Sequence, residues 1–186
     1  MKPESTVTLI NRLVQEAEQR VQVFTAAAER ETFGYAYNDA QASLVLLIAR
    51  VLDDKKLPFE LKGYHVSMRG DLGTDTCEAS VKVIVRGAQY HKVSDGSGPV
   101  CALDAALRLA LHESFPQLVK VNLADYSVRL VGEKAGADSK TIVSIEFSDG
   151  KDTWKVAGVS KNLVKASLLA LIDGYEYALL PVMSKA

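Results

Sequence analysis

An internal duplication restricts the fold of this chain more than any other feature of its sequence. After Phe59, apolar residues alternate with polar ones through three strand-like segments, and a helical pattern begins near Val100. The same order of patterns recurs after Pro116. The sequence therefore predicts two βββα units, over residues 58–116 and 117–186.

The two units match residue by residue at a nearly constant offset. Strand positions of the first unit fall on apolar positions of the second at an offset of 62 residues, and helix positions at an offset of 64. A G-x-D-[ST] segment between the first two strands also repeats. Chance alternation would not keep all of these in register, so we interpret the pattern as a true duplication. The strand positions are Tyr64, Val66, Met68, Val81, Val83 and Val85, matched by Tyr126, Val128, Leu130, Val143, Ile145 and Phe147.

Residues 1–57 are predicted to form a helical linker subdomain. Along its first helix, apolar residues recur at alternating spacings of three and four, which is typical of a seam that packs against another helix or a partner chain. A second helix is predicted over residues 40–52, capped by Asn38 or Asp39. The seam residues are Val7, Ile10, Val14, Ala17, Val21, Phe24 and Ala28.

The predicted fold class is α+β, with duplicated βββα units preceded by the helical linker subdomain. A single helix covers only one face of a three-stranded sheet, so each unit needs a further partner surface. Because the sheets and the helical seam both leave apolar surface uncovered, we expect a homodimer.

Composition argues against two classes of partner and predicts a compartment. The formal net charge is −1 and no basic run is longer than Lys55–Lys56, which argues against nucleic-acid binding. The longest apolar run, within residues 43–49, is shorter than the ~20 residues of a membrane span, which argues against a membrane partner. Cys77 and Cys101 form no CxxC pair and the N-terminus lacks a signal-peptide pattern, so a reducing cytoplasm is predicted.

The sequence contains no recognisable catalytic or metal-binding constellation. His65, His91 and His112 lie in different elements and form no H-x-H pair, and no G-x-S-x-G motif occurs. Cys101 lies near a predicted helix start, where a thiol can be reactive, but an inert buried cysteine is the commoner case. We therefore expect no catalytic residue, no metal and no cofactor on this chain.

The segment "SDGSGPVCALDAAL" places two glycines and a proline before a helical pattern. Glycine lets the backbone approach a ligand closely, and Pro99 suits a first helical turn. Free N–H groups and the positive end of the helix dipole favour a carboxylate there. The alternative is a plain helix start without a ligand, capped by Asp95 or Ser97.

Several segments resemble the C-terminal regulatory domain of 2-isopropylmalate synthases and citramalate synthases. "GSGPVCALDAAL" resembles its G-N-G-P-V-x-A-L segment, "LADYSVRLV" its L-x-D-Y-x-V strand, and "GADSKTIVSIEF" the hairpin that follows. "GVSKNLVKASLLALIDGYEY" resembles its closing helix, in a form closer to the citramalate branch. "GYAYNDAQASLVLLIARVL" is similar to the helical subdomain that joins this domain to the catalytic barrel. The similarity extends from Thr25 to Leu180.

The resemblance implies a duplicated βββα domain that dimerises and binds an end-product amino acid. The effector would be isoleucine in the citramalate branch and leucine in the isopropylmalate branch. Matched by position, the loop at the helix start and the next strand would form the site, with weaker assignments around Ile142 and at residues 160–162. Strict alternation separates Leu123 from Tyr126 and Leu130, so either a β-bulge or the start of the strand must bring Leu123 onto their face. The implied effector-binding residues are Gly96, Gly98, Val100, Cys101, Leu123, Tyr126, Leu130 and Ile142.

The chain departs from the family pattern in two ways. Cys101 occupies a position that is acidic in many members, which removes one candidate partner for the ammonium group of the ligand; Asp95 or Asp125 are the alternatives. The catalytic barrel, with its H-x-H motif and divalent metal, has no counterpart here, so the barrel of a parent enzyme is an expected partner. Three interpretations remain: an isoleucine-binding domain, a leucine-binding domain, and a ligand-free dimerisation module.

Overall fold

The computed structural model describes residues 6–52, 58–70, 75–131 and 139–183, with only the backbone described for 6–14, 75 and 181–183. Two helices, α1 (Thr6–Phe33) and α2 (Gln41–Leu52), come first. The first unit contains β1 (Phe59–Gly70), β2 (Asp75–Val85), β3 (Ala88–Gly96) and α3 (Pro99–Leu111). A 3-10 turn, Pro116–Lys120, leads to β4 (Asn122–Val131), β5 (Lys140–Ser148), β6 (Thr153–Ser160) and α4 (Leu163–Met183). The α+β fold with duplicated βββα units is confirmed.

Each unit is an antiparallel sheet with its own helix packed on one face. The strand orders are β1-β2-β3 and β4-β5-β6. The central strands β2 and β5 turn their alternate apolar residues towards α3 and α4, and the two helices contact each other, so that one core runs through both units. The fully buried residues of the central strands are Val81, Val83 and Val85 in β2, and Val143, Ile145 and Phe147 in β5.

A β-bulge recurs at equivalent positions of the two edge strands. The register of β1 against β2 shifts between Leu61 and Gly63, and that of β4 against β5 shifts between Leu123 and Asp125. The extra residue places Leu123 opposite Phe147 and Tyr126 opposite Ile145, so both face the helix side of the sheet. Of the two alternatives predicted for Leu123, a β-bulge and the start of the strand, the structure has the bulge. The repeated G-x-D-[ST] segment lies mostly outside the described residues.

The N-terminal helices differ in detail from their predictions. Helix α2 begins at Gln41 and is preceded by buried Ala40, whose carbonyl accepts a hydrogen bond from the Leu44 N–H. The predicted cap at Asn38 or Asp39 is therefore wrong, and both residues are exposed. Helix α1 contacts α2, and its half-buried positions include Val23, Ala26 and Ala27.

The described part of the heptad-like seam of α1 is not packed within the chain. Its described members Ala17, Val21, Phe24 and Ala28 are all exposed, with Val21 at 64% and Phe24 at 76%. The side chains of Val7, Ile10 and Val14 lie outside the described residues. The half-buried side chains of α1, such as Val23, Ala26 and Ala27, lie on another face of the helix than the described seam residues.

Helix α2 covers the outer face of the second sheet only. The Ser43 Oγ accepts a hydrogen bond of 3.0 Å from the backbone N–H of Ala157 in β6. Ile142, Ala157 and Val159 are buried on this face, whereas Glu78 and Lys82 on the outer face of the first sheet are exposed. The second sheet is thus enclosed between α4 and α2. None of the described helices combines the length and apolarity that a bilayer crossing requires.

Candidate functional site

The start of α3 has no side-chain cap. Gly98 is the N-cap residue, in an extended conformation (φ −175°, ψ 175°), and Pro99 occupies the first turn. The Gly98 carbonyl accepts a hydrogen bond of 3.0 Å from the Ala102 N–H, but no side chain caps the first N–H groups. The alternative prediction, in which Asp95 or Ser97 caps this helix, is therefore wrong. The N–H groups of Val100 and Cys101 are left in a position suited to a carboxylate.

The equivalent start of α4 is closed by its own side chains. Asn162, which corresponds to Gly98 at the offset of 64, accepts a hydrogen bond of 3.0 Å from the Lys165 N–H. The Ser160 Oγ accepts a further bond of 3.1 Å from the Asn162 N–H. The two units therefore differ at the position where an anion would bind, and only the start of α3 is open. This contrast makes residues 160–162 the weaker candidate for ligand contact.

The two glycines of the loop have different roles. Gly96 pairs with Cys77 at the end of β3, and a Cβ at Gly96 would lie 2.4 Å from the Ala102 backbone N. Only glycine therefore lets this strand end approach the helix so closely. A Cβ at Gly98 would meet no atom within 4 Å. Gly96 serves packing, whereas Gly98 leaves open space in front of the helix.

Val100 and Cys101 lie in the first turn of α3, and Cys77 lies nearby in β2. Cys101 is exposed, contrary to the commoner buried case, while Cys77 is buried, and both thiols are free. Burial raises the pKa of the Cys77 thiol, and the nearby Asp95 and Cys101 raise it further. Val100 is half-buried and packs against the core. The loop thus presents one exposed sulfur and one anchored apolar side chain beside the open helix start.

The predicted apolar wall lies on the helix side of β4. Leu123 and Tyr126 are half-buried against the core, and Leu130 is 65% exposed. The Tyr126 hydroxyl lies 2.9 Å from the Ser167 Oγ, and Ser167 donates its own hydrogen to the Leu163 carbonyl at 2.8 Å. Tyr126 is therefore the donor to Ser167, and α4 holds its ring in place.

The structure separates Ile142 from that wall. Ile142 pairs with Arg129, on the opposite face of the sheet from Tyr126, and is buried on the side that α2 covers. Within the described chain, no hydrogen bond links the loop of residues 96–101 to the group Leu123, Tyr126 and Leu130. The predicted effector-binding residues therefore fall into two groups, the helix-start loop and the β4 wall, and Ile142 belongs to neither.

Comparison with known proteins identifies the family. Residues 38–179 match the profile of the LeuA allosteric (dimerisation) domain. The chain belongs to this family. The resemblance inferred from the sequence is thereby confirmed, and the match includes α2 as well as both βββα units.

Curated relatives of this LeuA domain are synthases several times its length. It is 44% identical over 154 residues to the (R)-citramalate synthase of Aquifex aeolicus, covering 82% of this chain and 29% of the relative. Identity to the (R)-citramalate synthase of Synechocystis is 37% over 164 residues, covering 84% and 30%. The 2-isopropylmalate synthase of Azotobacter vinelandii is 27% identical over 163 residues, covering 87% and 26%. The chain thus spans under a third of the length of these relatives.

Two cavities of the LeuA domain lie away from the predicted effector residues. One of about 290 Å³ is lined by polar residues of the outer face of the second sheet, including Asp125, Arg129 and Lys155. Another of about 340 Å³ lies between α2, β1 and α4. Neither of these two cavities is lined by a residue of the helix-start loop or of the β4 wall. No group of potential metal ligands occurs among the described residues.

A buried polar network on α4 has no counterpart among the residues predicted from the sequence. The Tyr175 hydroxyl donates to Asp104 of α3, and Arg50 of α2 bonds both Asp173 and Glu176. Burial raises the pKa of Tyr175, and the Asp104 charge raises it further. Burial also raises the pKa of Glu176, despite the opposing effect of Arg50. For Arg50, burial lowers the pKa, but the two carboxylates outweigh it and the net shift is upward.

Proposed function

We propose that this LeuA domain binds a free branched-chain amino acid, with isoleucine favoured, and thereby regulates a citramalate-type synthase. The observation that carries the proposal is the open start of α3 in a chain that belongs to an allosteric domain family. Asn162 closes the equivalent position of the second unit, so the two units together provide one open helix start. Isoleucine is favoured because identity to citramalate synthases exceeds identity to the 2-isopropylmalate synthase.

The chemistry of an amino acid suits this loop. Its carboxylate would accept hydrogen bonds from the N–H groups of Val100 and Cys101, at the positive end of the α3 dipole. Asp125 pairs with Glu146 and Asp95 pairs with Glu78, so both carboxylates lie on the outer faces of their sheets, away from the helix side, and neither is assigned to the ammonium group. The β4 wall would receive the branched side chain.

We further propose a homodimer that forms over the helix side of the edge strands. Exposed apolar residues occupy equivalent positions there: Met68 (61%) of β1 corresponds to Leu130 (65%) of β4. Tyr64 and Val128 on the same faces are also exposed, at 39% and 46%. Covering these residues with a second copy would remove apolar surface from water and close the open side of the β4 wall. Effector binding and dimerisation would then support each other.

The parent enzyme follows from the same reasoning. We propose that it condenses pyruvate with acetyl-CoA in a separate barrel that holds a divalent metal, and that the isolated chain has no such activity. The cytoplasm remains the predicted compartment, since both described cysteines are free thiols. A leucine-binding domain is the alternative, and a ligand-free dimerisation module is favoured only by Cys101 in place of an acidic residue.

Thermal denaturation of the chain with isoleucine, leucine, valine or alanine tests the proposal. A ligand that binds only the native state raises the midpoint in a concentration-dependent way. We expect isoleucine to raise it most and alanine to leave it unchanged. If all four amino acids leave the midpoint unchanged at millimolar concentrations, the chain is not an amino-acid sensor. Sedimentation that shows a monomer at micromolar concentration would contradict the homodimer.

A further inference from the structure

One turn of α4 contacts three other parts of the chain with successive residues. Gly174 packs against the Phe147 ring of the second sheet, where a Cβ would lie 2.0 Å from the ring. The Tyr175 hydroxyl donates a hydrogen bond to Asp104 of α3. Asp173 and Glu176 both accept hydrogen bonds from Arg50 of α2. We call this turn, residues 173–176, the α4 hub.

The contact of the hub with α2 is ionic and buried. The Arg50 Nη2 lies 2.8 Å from the Asp173 Oδ1 and also bonds Glu176. Ser43, on the same helix, donates to the Asp173 Oδ2 at 2.8 Å. Asp173 is 6% exposed and Glu176 only 2%. Removal of Arg50 would leave two buried carboxylates without the cation that hydrogen-bonds to both, which is strongly unfavourable.

A cleft of about 340 Å³ lies at the same junction and is partly open to solvent. It is bordered by Arg50, Asp173 and Glu176, together with Arg30 of α1 and Glu60 of β1. Helix α2 also packs through buried apolar residues, including Leu46 and Leu47. The ion pairs of Arg50 with the hub therefore act together with apolar packing in positioning α2 beside this part of α4.

The contact of the hub with α3 lies close to the helix-start loop. Asp104 lies one turn after Cys101 and is held by the Arg108 Nε at 2.7 Å. Arg108 also donates to the Val121 carbonyl at 2.6 Å, and its guanidinium lies 5.5 Å from the centre of the Tyr175 ring. Tyr175 is fully buried. Its hydroxyl is therefore fixed to the first half of α3, next to the proposed effector contact.

We infer that the α4 hub couples the start of α3 to the helical subdomain, with Tyr175 and Arg50 as its two positioning residues. A change at the start of α3 moves Asp104, Asp104 is bonded to Tyr175, and the adjacent hub residues hold α2 through Arg50. The effector that would bind at the start of α3 rests on the proposed function, whereas the coupling is a property of the chain without ligand. Spatial proximity alone does not establish coupling, so the test must measure it directly.

Hydrogen exchange of the ligand-free chain tests the coupling. Tyr175→Phe removes only the hydroxyl that bonds α3, yet we expect amides of α2 (Gln41–Leu52) to exchange at least about threefold faster. Rates are compared with those of β2 amides, which report global unfolding. The matched control is Tyr177→Phe on the same helix, whose ring lies beside Trp154, and it should leave α2 unchanged. Wild-type exchange of α2 in Tyr175→Phe, or an equal change in both variants, overturns the inference.

Arg50→Lys tests the coupling in the reverse direction, from α2 to α3. Lysine retains the positive charge but loses the planar guanidinium, and we expect the variant still to fold. We expect faster exchange in the first turns of α3, with β2 unaffected. If isoleucine or leucine binds, it should slow α2 exchange in the wild type, and Tyr175→Phe should bind it with the slowing lost. A chain that binds no amino acid would refute the proposed function, while the ligand-free comparison would still decide the coupling.

Discussion

Replacement of Gly98 by aspartate gives a sharp test of the helix-start loop. The backbone at Gly98 is extended, which any residue adopts, and a new Cβ would meet no atom within 4 Å. An aspartate at the N-cap can accept hydrogen bonds from the first free N–H groups of α3. Its carboxylate would thus take the place that we assign to the carboxylate of the effector.

The structure sets the size of the two opposing effects. A capping side chain adds a few tenths of a kcal/mol over glycine, and the helix dipole adds about 0.3–1 kcal/mol. At about 2–4 °C per kcal/mol for a chain of this length, the free variant should melt roughly 1–5 °C above the wild type. An effector at a hundred times its Kd stabilises the wild type by about 2.7 kcal/mol, or roughly 5–11 °C. Gly98→Asp should therefore gain the increase in melting temperature that comes from capping and lose the increase that comes from effector binding.

Thermal denaturation with and without saturating isoleucine measures both effects. The matched control is Asn162→Asp at the equivalent start of α4, which keeps a capping side chain there and should retain the full ligand shift. Gly96 is unsuitable for this test, because a side chain there would collide with the Ala102 backbone. If Gly98→Asp retains the wild-type shift, the effector binds elsewhere and the reasoning about the open helix start is refuted.

Three further predictions concern the wall, the dimer and the hub. Tyr126→Ala should weaken binding of isoleucine, leucine and valine and narrow the differences among them in calorimetric titrations; unchanged affinities and ranking would make Tyr126 a core residue only. Leu130→Asp, at a 65% exposed site, should shift sedimentation towards monomer with little loss of thermal stability, whereas the same change at exposed Val119 should not. Burial raises the pKa of Glu176 above its usual 4.5 in the folded protein. The folded state therefore loses stability relative to the unfolded state as pH rises through this raised pKa and Glu176 ionises. Glu176→Gln should therefore gain stability relative to the wild type between about pH 4 and pH 8 in urea denaturation, and a constant difference would contradict the buried charge.

Local patterns predicted the units because their physical causes are local. Alternation in β2 and β5 is imposed by one buried face, and the two buried sets agree at the offset of 62. The bulge near Leu123 was one of two predicted alternatives, because residues required on one face did not obey strict alternation. The open start of α3 was visible in its glycines, although its cap residue was not.

Contacts between segments that lie far apart in the sequence were not predicted from it. Nothing near Ile142 indicates that α2 covers its face of the second sheet, since that contact joins segments about a hundred residues apart. The α4 hub has the same origin: Asp173 and Glu176 resemble solvated charges in a helix until Arg50 is brought to them. The seam of α1 shows the converse, because a regular pattern there remains exposed in the described chain.

Calorimetric titration of the chain with isoleucine tests the central claim most directly. We expect saturable binding of one isoleucine per chain, because the start of α3 is open and Asn162 closes that of α4. Valine should bind less tightly by about 1–3 kcal/mol, the value of one methylene in an apolar pocket. Two sites per chain would contradict the asymmetry between the units. Absence of saturable binding by isoleucine, leucine and valine would contradict the effector function itself.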